Sequence, residues 1–170
     1  MSTANMVIGI GNEYRSDDGV GLRVLRALKE KALAGTVLIE CTNEGIDLLE
    51  TWKAAQTVVL VDAVSSGATP GTIYRIDALT QAIPIDLSFQ STHSFGLAEM
   101  IELARILGQL PDCLIVYAIE GKDFSMGTAL SPEVEGSVRQ VVAQVTNEIQ
   151  CAKSANFSAT GDAPPHEFDS

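Results

Sequence analysis

The sequence predicts an α/β domain of three layers, a mostly parallel central sheet with helices on both faces. Three observations carry this. Short apolar runs alternate with stretches of helical spacing along most of the chain, the pattern of strand–helix–strand units. Two runs, VVLV (58–61) and CLIVYAI (113–119), are continuously apolar, as strands buried on both faces are. A length of 170 residues suits one domain. Residues 1–151 are expected to fold, and the Ala-, Ser-, Asn-, Asp- and Pro-rich tail 152–170 to be disordered.

The elements follow in order. MVIGIG (6–11) reads as a short buried strand. DGVGLRVLRALKEKAL (18–33) places Val20, Leu22, Val24, Leu25 and Leu28 at helical spacing. TVLIEC (36–41) is a second strand, and GIDLLETWKAA (45–55) a short amphipathic helix. TVVLVDAV (57–64) is the most apolar strand, interrupted near its end by Asp62. SSGATPG (65–71) is a loop of turn residues, and TIYRID (72–77) a fourth strand. Residues 78–92 lack a clear pattern, with Pro84 as a breaker. SFGLAEMIELARILGQL (94–110) is a long helix, DCLIVYAIE (112–120) a buried strand and GKDFSMGTAL (121–130) a loop. The last helix, 131–150, opens with Ser131 as N-cap, Pro132 at its first position and acids in its first turn.

Composition narrows the function. A formal net charge of −11 repels phosphate backbones and argues against nucleic-acid partners. No apolar run is long enough to cross a bilayer, and the N-terminus lacks the marks of a signal peptide. Three scattered cysteines with no CxxC pair fit a reducing cytoplasm. No P-loop, HExxH or GxSxG motif is present.

Chemistry concentrates where strands are expected to end, because ligand sites of parallel sheets lie at the strands' carboxyl ends. GIGNEYRSDDGVG (9–21) has the start of a dinucleotide fingerprint, but Asp17 and Asp18 would repel a pyrophosphate. The turn presents a carboxylate at the rim instead. Asp62 ends the third strand, and an acid after the four apolar residues VVLV needs solvent, a donor or a metal. Of the two histidines, His166 falls in the tail, whereas His93 precedes a long helix. Asp18, Asp62 and His93 form a two-carboxylate, one-imidazole set that leaves coordination positions open and suits nickel or zinc. Each has a structural alternative: Asp17 or Asp18 capping the helix, His93 packing at its start. Cys41 ends a strand on the same rim, but neighbouring acids disfavour its thiolate.

GIGNEYRSDDGVG, VVLVDAV, THSFGLAEM and a late LSPEV, in this order, resemble the hydrogenase maturation proteases across residues 6–148. The resemblance implies a central twisted sheet flanked by helices. It places the family's three metal-contacting positions on Asp18, Asp62 and His93, with Asp18 shorter than the usual Glu and Asp17 as a competitor. The family is labelled aspartic-type. The substrate implied is a nickel–iron hydrogenase large-subunit precursor that already carries nickel, from which a C-terminal extension is removed. Nickel then comes with the substrate, no organic cofactor is needed, and the enzyme acts in the cytoplasm as a monomer. HSFGLAEM and EGKDFSMG lean towards members serving bidirectional, NAD(P)-linked hydrogenases. The alternatives are a nickel-dependent assembly checkpoint without cleavage, a small metallohydrolase with its own zinc, and a cysteine hydrolase using Cys41.

Overall fold

The computed structural model describes residues 3–42, 48–89 and 96–159. Its strands are β1 (Thr3–Ile10), β2 (Thr36–Cys41), β3 (Ala55–Ser65), β4 (Ile73–Asp77), β5 (Ser88–Phe89) and β6 (Cys113–Glu120). Its helices are α1 (Val20–Glu30), α2 (Leu48–Trp52), α3 (Leu97–Ile106) and α4 (Pro132–Ala159), with a 3-10 helix at Ser16–Gly19.

The strands form one sheet in the order β2-β1-β3-β6-β4. β1 pairs in parallel with β2 and β3, and β3 with β6. β4 runs antiparallel on β6, and β5 pairs antiparallel with the end of β3. The expected three-layer, mostly parallel arrangement is therefore present. Because alternate residues point to opposite faces, β1 and β3 feed two cores. Met6, Ile8, Val58 and Leu60 pack with Trp52 of α2 and Leu97 and Ile101 of α3. Val7, Val59 and Val61 pack with Leu25 and Leu28 of α1 and Val141 and Val145 of α4.

Glycines let α1 lie unusually close to the sheet. A Cβ at Gly21 would stand 2.3 Å from the Ile10 carbonyl oxygen and 2.4 Å from that of Val61. At Gly11, with φ +150°, it would stand 1.9 Å from the Asp18 carbonyl oxygen. No other residue type fits either position.

Two sequence expectations need correction. β5 lies in the stretch read as unpatterned, because two residues are too short to show a period. The last helix continues to Ala159 rather than ending at Gln150. Nothing in CAKSANFSA (151–159) stops a helix, and the first glycine after it is Gly161. Gly45 and residues 160–170, including His166, lie outside the described residues. Among those described, no helix is long and apolar enough to cross a membrane.

Candidate active site

β1 has β2 on one side and β3 on the other. Connections leaving in opposite directions open a crevice at the strands' carboxyl ends, where ligands bind in sheets of this kind. Asp18 follows β1, and Asp62 lies near the end of β3. The loop after β6 reaches the same rim. Ser16 N–H donates to Gly127 O (2.8 Å), and Asp17 N–H to Asp123 O (2.9 Å). Ser16 itself has φ 52°, a strained value for a non-glycine residue. Its hydroxyl is tied to Ser125 O at 2.9 Å.

The turn separates the two adjacent acids. Asp17 is buried and saturated. Its Oδ2 accepts from Lys122 N–H (2.8 Å), Asp123 N–H (2.9 Å) and the Ser131 hydroxyl (2.9 Å), and its Oδ1 from Ser131 N–H (2.7 Å). It pins the β6–α4 connection onto the β1 turn. Ser131 precedes Pro132 as expected, but its hydroxyl serves Asp17 rather than capping α4. No side-chain hydrogen bond caps α1 either, so neither acid is a helix cap.

Asp18 is equally buried, yet neither carboxylate oxygen has a partner among the described residues. Burial raises its pKa, and the Arg15 charge and the nearby Asn12 backbone pull it back only in part. Asp62 is buried too. Its Oδ1 accepts from Ala63 N–H at 2.7 Å, and its Oδ2 is unpartnered among the described residues. Burial, then the charge of Asp18, pushes its pKa well up. Two mutually repelling carboxylates with three vacant oxygens are costly to maintain, as functional sites often are. A bound cation would relieve both the repulsion and the vacancy.

Asp18 thus lies at the rim, but closed from solvent rather than held out to it. His93 lies outside the described residues. Among those described, no group of three or more His, Cys, Asp or Glu side chains has metal-holding geometry. Cys41 is buried at the end of β2, and its thiol is pushed up by burial and then by Asp62, which disfavours a nucleophile. Glu40, next to Cys41 in sequence, is paired with Arg26 and Lys29. Sequence reasoning missed Glu120. It is buried at the end of β6, where its carboxylate accepts from Ser66 N–H (2.8 Å), the Ser66 hydroxyl (2.7 Å) and Gly67 N–H (3.1 Å) and holds the β3–β4 loop to the rim. An acid closing an apolar strand, as at Asp62, was its available signal.

The hydrogenase maturation protease family model matches residues 22–148. The chain belongs to that family. The hydrogenase expression/formation protein HupD of Thiocapsa roseopersicina is 27% identical over 140 residues, covering 81% of this chain. The matched stretch is 63% of that relative's own length. The hydrogenase 2 maturation protease of Escherichia coli is 24% identical over 144 residues, 82% of this chain and 87% of that protein. The fold matches the solved hydrogenase maturating endopeptidase HybD from E. coli, with TM-score 0.71 at 22% identity over 86% of this chain and 92% of that one. It also matches the maturation protease HybD from Thermococcus kodakarensis, with TM-score 0.68 at 20% identity over 86% and 99% of the two chains.

Proposed function

We propose that this protein is a peptidase that removes the C-terminal extension of a nickel-loaded hydrogenase large-subunit precursor. Family membership supports the reaction class. The observation that carries the specific reading is the pair of buried carboxylates, Asp18 and Asp62, with three oxygens at the β1/β3 crevice that have no partner among the described residues. Asp18, Asp62 and His93 are the residues that engage the precursor's nickel, and their donor types suit that ion. Asp17 takes no part in this, because its oxygens are already occupied. The rim must open for the precursor to reach the carboxylates. Docking then depends on a metal that only finished substrate carries, which gives specificity through a required ligand.

Hydrolysis needs water to lose a proton as it attacks the scissile carbonyl, and the departing amine to gain one. The precursor's nickel polarises that carbonyl or that water. A carboxylate oxygen of Asp18 or Asp62 that the nickel leaves free takes the proton from the water and passes it to the departing amine. The enzyme brings no organic cofactor. It acts as a cytoplasmic monomer, in keeping with three cysteines that form no disulfide.

Processing is followed by intact mass, with purified protein and nickel-loaded precursor. Asp62→Asn and His93→Ala are each expected to slow extension removal by about a hundredfold or more while keeping the fold. Full-rate processing by Asp62→Asn would sink this reading. Tight binding of loaded precursor by the wild-type protein, with no change in mass, would replace cleavage with a checkpoint role.

A further inference from the structure

A groove of about 710 Å³ lies between α3 and residues 82–89. Its walls are largely apolar. Ile85 is 103% exposed, Ile106 81% and Leu103 38%. Single exposed apolar residues are ordinary, but these share one concave surface. The charged residues among its lining are Glu99 and Glu102. Glu102 meets Arg105 through Oε2 at 3.3 Å, while its Oε1 is buried with no partner among the described residues.

The groove adjoins the candidate active site. Phe89, in its lining, pairs with Val64 on β3, two residues beyond Asp62. Asp62 and Val64, two residues apart on β3, point to the same face of the sheet, the face on which the groove lies.

We propose that this groove docks an extended apolar peptide bearing a lysine or arginine, namely the part of the precursor's C-terminal extension just beyond the scissile bond. The proposal rests on the protease reading above. Apolar side chains of the peptide cover Ile85, Leu103 and Ile106, and its cation meets the exposed Glu99 carboxylate and the exposed side of Glu102. Charge selects this occupant over a second copy of the chain. Each copy carries −11, so self-docking would set an acidic surface against an acidic groove.

The test uses the full-length protein and a fluorescent synthetic peptide of the precursor's last residues, spanning the bond and the extension and titrated to saturation, so that the groove's own share of the affinity is read without nickel. Anisotropy reads binding independently of cleavage. Ile85→Glu and Ile106→Glu are each expected to weaken binding about tenfold or more, since charge is placed in a desolvated contact. Glu102→Lys weakens it too, and recovers binding to a peptide whose basic residue is changed to Glu. In processing assays the same exposed-site variants raise KM while kcat stays within about twofold, as loss of uniform binding requires. Unchanged peptide affinity in all three variants overturns the proposal. So does equal weakening for a peptide that lacks the extension, or a dimer in sedimentation that Ile106→Glu dissolves. Cleavage that proceeds with groove variants neutral removes the docking site and keeps the protease. Groove-dependent binding of a precursor that is never cut does the reverse.

Discussion

Asp17 sits among four donors, and Asp18, one residue on, has no hydrogen-bond partner among the described residues. Their roles follow from that difference. Asp17→Ala strips a buried anchor from three backbone N–H groups and a hydroxyl, and should cost about 3 kcal/mol in urea unfolding, since hydrogen bonds to a charged group are among the stronger ones. Asp62→Asn should do the opposite. It removes a buried, repelled charge while an amide oxygen can still accept from Ala63 N–H, so stability near neutral pH rises by about 1–2 kcal/mol as activity is lost. The pH dependence has a definite sign. A carboxyl whose folded pKa is raised keeps its proton longer in the native state, so its penalty grows as pH rises from the unfolded value through the folded one. Unfolding midpoints of wild type and Asp62→Asn should diverge across that window, and parallel midpoints would contradict it. The sequence showed that acids stood at this turn. It could not show which one faced the crevice, because that depends on the backbone at Ser16.

At the scale of elements, the close crossing of α1 over β1 and β3 fixes the turn that carries Asp18. Gly21→Ala forces a methyl into two carbonyl oxygens. It should destabilise by about 3 kcal/mol, read from the thermal or urea midpoint. On the same face, α4 is fastened to the sheet edge where Glu148 accepts from Arg75 and from the Tyr117 hydroxyl. Arg75, opposed by burial and aided by Tyr117, holds the Glu148 carboxyl below its usual range. That contribution is present above the unfolded pKa and fades as pH falls through the folded one. Glu148→Gln should therefore lose about 1 kcal/mol at neutral pH and converge with wild type in acid. The long strands and helices were legible from apolar runs and helical spacing. β5 was not, since its pairing with β3 is a tertiary event that two residues cannot announce. The extra turns of α4 were not legible, because the polar composition of residues 151–159 suits a tail as well as an exposed helix end.

For the whole molecule, strand order matters most. Parallel strands were readable from uninterrupted apolar runs, and with them the expectation that Asp18 and Asp62 share a rim. The order β2-β1-β3 turns that expectation into a location, because it sets both acids beside one crevice. Burial was not legible. Single-residue patterns cannot reveal that both carboxylates are closed from solvent. Closure bears on the metal question. If nickel belongs to the precursor, the isolated protein should carry well under one equivalent of metal by elemental analysis, whereas a resident zinc enzyme would carry about one. The acidic surface fits a partner that brings positive charge, the metal included.

The most direct measurement is intact mass of the large-subunit precursor after incubation with this protein, in matched nickel-loaded and nickel-free samples. The account predicts loss of the C-terminal extension in the loaded sample alone, and no loss with Asp18→Asn or Asp62→Asn. Equal cleavage of nickel-free precursor would contradict it.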